Sequence, residues 1–355
     1  MTNTPEWQHC IASIIESPGL VVVVGESDTG KSTFCAELVN AAAAVGLKTV
    51  VVDADVGQSE IGPPGTVGLA GVSEPVARLS DLHVRRMYYV GAVSPVGNTL
   101  QTVIGVKKMA DEARAHGAQL IVVDTSGLVQ GAIGRKLKTY KIDLLSPDHV
   151  VFLQKTSESE HLVKVISALQ HITIHKLNVS SSLRSKSSDF RAARRKSRLA
   201  QRFDGAESHV IRLEDVTFWG SWLYTGRQLP WQRLRALERI LKVKILNAET
   251  VGRGYYLVVD RTPLPSDVLL LEEELKIRGI AIVPAAAFTH AYVGLADARG
   301  HLLDVGIVQA IEFRQKYMSV ITPLKSIAPV RIVQFGAMRV SRDGTELVRL
   351  RVGEI

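Results

Sequence analysis

Between Leu20 and about Asp204 the apolar residues fall into short unbroken runs separated by longer stretches with helical spacing. The runs Leu20–Val24, Lys48–Val52, Val84–Val90, Leu120–Val123, His149–Leu153 and Ile172–Leu177 predict strands, several of them apolar on both faces, as in a parallel sheet covered on two sides. Trp7, Ile11, Ile14 and Ile15 share one helical face and predict a short helix within residues 1–18. After a glycine-containing loop that follows the first strand, a second helix is expected to about Ala44, stopping at Gly46. A third should run from an Asn98 N-cap to His116, closed by Gly117. Ser157-x-x-Glu160 predicts a capping box opening a helix to about Gln170. Residues 60–80, rich in Gly and Pro, predict a loop. Strand and helix in alternation imply an α/β fold with a parallel sheet flanked by helices.

After Asp204 the pattern changes. Short alternating runs at His209–Leu213, Tyr255–Val259, Tyr292–Leu295, Val330–Val333 and Glu346–Arg351, with turns such as Ala298-Arg299-Gly300, predict a smaller, mostly β domain. Helices at Pro230–Leu241 and near Glu272–Ile277 interrupt it. The expected organisation is an N-terminal helix (1–18), an α/β domain (19–205) and a β-rich domain (206–355).

The bulk numbers add little: 46% hydrophobic and 22% charged residues suit a globular protein. No apolar stretch approaches the ~20 residues that cross a bilayer, so no membrane is expected as a partner. Two cysteines give no disulfide framework, and with no secretory pattern at the N-terminus a cytoplasmic location is expected. The net charge of +8 is more telling, because eight basic residues and one acid lie between Arg184 and Arg202. That segment, 184–203, predicts a helix on which Arg184, Arg191, Arg195, Arg198 and Arg202 fall within about ±40° of one line at ~100° per residue. An arginine stripe can clamp a transferring phosphoryl group or track a nucleic-acid backbone.

The chemistry sits at the strand ends. Gly25-Glu26-Ser27-Asp28-Thr29-Gly30-Lys31-Ser32 matches the G-x-x-x-x-G-K-[ST] phosphate loop, between a strand and a helix whose N-terminus would face the phosphates. The fold is thus expected to be that of a P-loop NTPase, with Lys31 bridging the β- and γ-phosphates and Ser32 holding Mg²⁺. Asp53 and Asp55 end the next strand and supply two carboxylates, one to orient or deprotonate a nucleophile and one for Mg²⁺. Asp124-Thr125-Ser126-Gly127 ends a third strand at the same edge, where it would serve the metal or sense the γ-phosphate. The guanine-recognition pattern N-K-x-D is absent, which leaves adenine as the expected base. His171 and His175 are expected to pack or to face solvent.

At these residues the chain resembles the polynucleotide 5'-hydroxyl kinase family, which includes the eukaryotic mRNA cleavage-factor kinase subunit, the ribosomal-RNA-processing kinases and archaeal RNA kinases. Gly25–Thr33, with an acidic Asp28, resembles its phosphate loop. Asp55-Val56-Gly57-Gln58 resembles its D-x-G-Q element, followed by Pro64-Gly65-Thr66. Tyr89–Pro95 is similar to its aromatic-x-G-x-x-S/T-P strand end. Thr125-Ser126-Gly127 is similar to its substrate-clasping T-x-G, and Arg184-Ser185-Lys186 with Asp189-Phe190-Arg191 to its arginine lid. The resemblance implies ATP and Mg²⁺ as cofactors, RNA or DNA 5'-hydroxyl ends as partners, and a lid over the phosphates. It implies that Asp55 is the general base, that Asp53 and Ser32 serve Mg²⁺, and that Gln58 contacts the terminal nucleotide. It also implies that Thr125, Gly127 and Arg195 face substrate, while Arg184 and Arg191 close over the phosphates. Leu128 stands where many members carry a base-stacking Trp, a platform worth ~1–3 kcal/mol per base. The lid carries two extra residues between its two parts. A nucleotide-binding subunit without catalysis, or a switch-type ATPase or GTPase built on Asp124-x-x-Gly127, remain the alternative readings.

Overall fold

The computed structural model describes residues 4–179, 186–275 and 279–348, and the chain divides into two compact units, Met1–Arg198 and Leu199–Ile355. The first contains α1 (Pro5–Glu16), β1 (Leu20–Gly25), α2 (Lys31–Ala44), β2 (Thr49–Ala54), β3 (Thr66–Val72), β4 (Arg86–Tyr89), α3 (Thr99–Ala115), β5 (Leu120–Thr125), α4 (Gly131–Leu145), β6 (His149–Gln154), α5 (Glu160–Ile166) and β7 (Thr173–Asn178). The division falls inside α6 (Ser188–Arg202).

The seven strands form one sheet in the order β4-β3-β2-β5-β1-β6-β7. The five from β2 to β7 are parallel, while β3 and β4 complete the edge antiparallel. The unbroken apolar runs have a direct physical reason. Val22 and Val24 of β1 join a core with α3, α4 and α5, whereas Val21 and Val23 join another with α1 and α2. Both faces of the central strands are dry, so alternation disappears from their sequence.

Strand β3, between β2 and β4, lies inside the stretch expected to be a loop. Its glycines hide the strand signal, and one of them is required: a Cβ on Gly68 would stand 2.0 Å from the Ile61 carbonyl oxygen. Asn98 is the N-cap residue of α3, but its side chain makes no capping bond. The capping box expected at Ser157 does not form either. The helix starts at Glu160, whose carboxylate instead accepts from Gln154 Nε2 and Lys176 Nζ, and it ends at Ile166 rather than near Gln170. Glu158 accepts the Lys155 and Thr156 amides just ahead of it.

The second unit is β-rich. A six-stranded sheet runs in the order Glu207–Arg212, Tyr317–Thr322, Leu302–Glu312, Ala291–Ala296, Ile332–Arg339, Thr217–Trp219. A four-stranded sheet joins Arg227–Gln228, Ile245–Val251, Gly254–Val259 and Ile280–Pro284, flanked by helices Trp231–Leu241 and Pro265–Leu275. The second helix thus lies earlier than Glu272–Ile277. The strand expected at Glu346–Arg351 is reduced to one bridge between Val340 and Glu346, with residues 349–355 outside the described set. Among the described residues both cysteines are free and buried, and no helix is long and apolar enough to cross a membrane.

Trp7 ties α1 to the phosphate loop. It is buried, meets Phe34 edge to face at 5.2 Å, and lies 3.6 Å from where a Cβ on Gly30 would sit. Trp7→Ala should destabilise the protein by about 3–5 kcal/mol. Denaturant unfolding checks this, with a lowered midpoint expected at an unchanged slope.

Candidate active site

Strands β1, β2 and β5 end side by side, and the loops beyond them wall a cavity of about 460 Å³. The phosphate loop forms its floor. Gly30, at φ 86°, is the N-cap of α2, and Asp28 also adopts positive φ, so the amides ahead of α2 turn inward. Lys31 is buried, and its Nζ donates to the Glu26 carbonyl at 2.6 Å. Thr29 Oγ1 donates to the same carbonyl. Gly25 allows the loop to leave the strand, since a Cβ there would meet Leu153 O at 2.5 Å. Of the loop, Ser27, Asp28, Gly30, Lys31, Ser32 and Thr33 line the cavity.

The acids separate into different roles. Asp53 and Asp124 are register partners on neighbouring parallel strands, and both are buried. Asp53 is 1% exposed and does not line the cavity. Its Oδ1 accepts the Asp55 N–H; its Oδ2 accepts the Glu60 and Ile61 N–H groups and the Ser59 hydroxyl. Burial, then the Asp124 charge, push its carboxyl up to about 8, against the pull of those amides. The oxygens of Asp53, expected to serve Mg²⁺, are here committed to the loop behind the cavity wall. Asp124 holds the place beside Ser32 instead: Ser32 Oγ donates to its Oδ2 at 2.5 Å, while Oδ1 is buried with no hydrogen-bond partner among the described residues. Burial pushes Asp124 up to about 6, opposed by Lys31 and the Ser32 bond. A buried, unsatisfied carboxylate oxygen next to a serine hydroxyl is a fitting donor pair for a hard divalent cation.

Asp55 leaves the strand and lines the cavity. Its Oδ1 accepts the Gly57 and Gln58 N–H groups, and its Oδ2 accepts no hydrogen bond from the described residues. Gln58 also lines the cavity, with Nε2 donating to Gly57 O and to Arg191 O.

Thr125 and Gly127, expected at the substrate, are both packed within the protein. Thr125 is fully buried, its hydroxyl donates to Val23 O at 2.7 Å, and it ties β5 to β1 rather than facing a substrate. Gly127 packs against the phosphate loop: a Cβ there would stand 2.2 Å from Ser27 Oγ and 2.5 Å from its amide nitrogen. Neither residue lines the cavity.

The lid helix α6 sends its arginines to three places. Arg191 lies 3.9 Å from Asp28 and lines the cavity; Arg194 pairs with Glu60 at 2.5 Å; Arg198 donates to the carbonyls of Glu60 and Gly62. Arg202 pairs with Asp304 within the second unit. Arg195, expected to face substrate, does not line the cavity. Arg184 lies outside the described residues.

Two buried cations escaped the sequence reading. Lys138 and Lys141 of α4 are at most 1% exposed. Lys138 Nζ donates to Thr125 Oγ1 at 2.7 Å and to Ser126 O at 2.6 Å. Burial, then the neighbouring Lys141 charge, hold it well below the usual lysine range. Burial lowers Lys141 to about 8, with the charges of Asp55, Asp124 and Asp53 pulling it back up. The signal was present: Gly134, Leu137, Lys138, Lys141, Ile142 and Leu145 form one helical stripe, and its apolar members mark it as buried.

The P-loop family of the mRNA cleavage and polyadenylation factor CLP1 matches residues 25–205. A polyribonucleotide 5'-hydroxyl-kinase of Pyrococcus furiosus is 31% identical over 333 residues, covering 94% of this chain and 91% of its own. This chain belongs to the CLP1-type polyribonucleotide 5'-hydroxyl-kinase family. A second such kinase, from Methanocaldococcus jannaschii, is 28% identical over 351 residues, covering 98% of this chain and 94% of its own. The fold is shared with Clp1p in its complex with Pcf11p, at a TM-score of 0.60 and 13% identity over 93% of this chain and 77% of that one. As a kinase of this family the chain uses a nucleoside triphosphate.

Gly127→Ala should force the phosphate loop off Ser27, because the obstructing atoms include backbone. Overpacking of this kind costs about 1–3 kcal/mol. Calorimetric titration with a non-hydrolysable triphosphate should show at least tenfold weaker binding, while far-ultraviolet circular dichroism stays unchanged.

Proposed function

We propose that this kinase transfers the γ-phosphoryl group of ATP, with Mg²⁺, to the 5'-hydroxyl end of RNA. The observation that carries this reading is Asp55. One of its oxygens is pinned by two amides, and the other is open to the same cavity that holds Lys31 and Ser32. A carboxylate so placed accepts the proton of an attacking hydroxyl at Oδ2 while Oδ1 fixes its direction.

The remaining residues follow from the geometry. The amides of the phosphate loop and α2's N-terminus bind the β- and γ-phosphates, and Lys31 Nζ exchanges the Glu26 carbonyl for a phosphate oxygen. Ser32 and Asp124 would hold Mg²⁺, which when bound neutralises charge on the transferring group. Asp53 positions the loop that carries Asp55, Gln58 and Glu60. Arg191 reaches the triphosphate from the lid, and Gln58 meets the terminal nucleotide. Leu128 is half-buried and offers no aromatic face, so grip on the acceptor must come from elsewhere in the cavity.

Two measurements test the reading. Labelled γ-phosphate from ATP should appear on 5'-hydroxyl RNA, with a matched DNA oligonucleotide reporting sugar preference. Free phosphate alone would favour a switch-type ATPase, and neither product would favour a binding subunit. Asp55→Asn retains the Oδ1 acceptor and removes the base, so transfer should fall by about 10²–10⁴-fold with nucleotide affinity nearly unchanged. Unaltered turnover would remove Asp55 from the mechanism.

A further inference from the structure

One wall of the cavity has no role in the chemistry above. It is built by Ala77, Arg78, Leu79 and Ser80, on the segment joining β3 to β4, together with Ala36 of α2. The wall is held rigidly. Asn40 of α2 makes a reciprocal pair with the Val76 backbone, donating Nδ2 to its carbonyl at 2.8 Å and accepting its N–H at 2.9 Å. Leu79 is 1% exposed and packs in the core shared with α1 and α2. Residues Leu79–Asp81 form a turn of 3₁₀ helix, in which the Asp81 carboxylate accepts the Arg78 N–H at 2.9 Å. The backbone of Arg78 is therefore fixed, while its side chain is exposed and lines the cavity.

The charge inventory of the cavity makes this arginine distinctive. Lys31 is occupied by Glu26 O, Arg191 lies beside Asp28, Arg194 is paired with Glu60, and Lys186 sits over the Phe190 ring at 5.4 Å. Arg78 forms no ion pair with the described residues. A triphosphate has its own cradle of loop amides, Lys31 and lid. A polynucleotide acceptor brings further anions, because its strand continues past the hydroxyl that faces Asp55. The small side chains of Ala36 and Ala77 leave room for that strand.

We propose that Arg78 and the wall it stands on form a subsite for a phosphodiester of the acceptor strand downstream of its reacting end. This inference rests on the kinase reading and deepens it. A guanidinium meets two oxygens of a phosphodiester at once, and its planar fork loses less freedom per hydrogen bond than a flexible ammonium would. The subsite provides the grip on the acceptor that Leu128 does not.

The test pairs Arg78→Ala with oligoribonucleotides in which single phosphodiesters are replaced, one at a time, by uncharged methylphosphonates. With the all-phosphate 10-mer, KM for the oligonucleotide should rise roughly 5- to 20-fold, with kcat and KM for ATP within twofold. The salt slope of binding should fall by about 0.7, the loss of one single-strand phosphate contact. One methylphosphonate should weaken the wild-type protein and leave Arg78→Ala unaffected, which identifies the linkage. Lys164→Ala, an exposed charge on α5 outside the cavity, should change none of these values. A raised KM for ATP would assign Arg78 to the nucleotide, and additive losses at every linkage would remove it from the acceptor; either result overturns the proposal. Fluorescence anisotropy of the labelled 10-mer measures the contact without turnover. Failure of the subsite thereby stays distinguishable from failure of the kinase reading, which would appear as absent label transfer by the wild-type protein.

Discussion

The site depends on one constraint: two carboxylates in register on adjacent parallel strands, both out of water. Asp53 and Asp124 face each other across the β2–β5 ladder because the strands end together, and they end together because the sheet must deliver its loops to one edge. Two buried acids so close repel unless each finds partners of its own. Asp53 finds backbone amides and a hydroxyl, which shapes the loop from Asp55 to Ile61. Asp124 finds Ser32 and retains one bare oxygen. The two residues therefore part in surroundings: one organises a loop, and the other keeps a buried oxygen without a hydrogen-bond partner among the described residues. Lys141 brings a positive charge into the same interior, and Lys138 holds the end of β5 through Thr125 and Ser126.

A second consequence concerns the lid. Its arginines are engaged with the protein itself: Arg191 near Asp28, Arg194 on Glu60, Arg198 on two carbonyls. The ion pairs are about one-third exposed on the arginine side, a setting in which such pairs contribute about 0–1 kcal/mol. A phosphate that competes for Arg191 or Arg194 thus displaces a weak intramolecular partner and gains a charge-assisted, two-pronged contact. The lid arrives already oriented, at small cost.

The sequence carried the site wherever a motif coincided with an apolar run. Phosphate loop, flanking strand and helix were legible because both sheet faces are dry, and five valines and leucines in a row admit few alternatives. Asp55 and Gln58 were legible from their place just beyond a strand. The division of labour between Asp53 and Asp124 was not, since alternation along one strand says nothing about the amides of a loop seven residues later. Thr125 and Gly127 were expected to touch substrate, yet a hydroxyl shared between strands and a glycine required by Ser27 leave no such trace in one sequence. The arginine stripe was read as one surface, whereas its members diverge because Glu60, Asp28 and Asp304 lie on separate parts of the chain. Strand β3 was hidden by Gly68, which the close approach of Ile61 requires and which lowers any strand signal.

The fold is shared with Clp1p at only 13% identity, so it does not depend on any particular core; triphosphate chemistry for its part needs only a small set of geometries. Glycines at close approaches, a loop leading into a helix N-terminus, and an acid beside the loop serine satisfy that need, and many apolar sequences can surround them. Features outside this minimum are free to differ between chains. The absent aromatic at Leu128 and the arginine at position 78 belong to that freer set. Both bear on how the acceptor strand is held rather than on how phosphate is transferred. Divergence among such kinases should therefore concentrate on the cavity walls, and the acid pair at the strand ends should tolerate almost none.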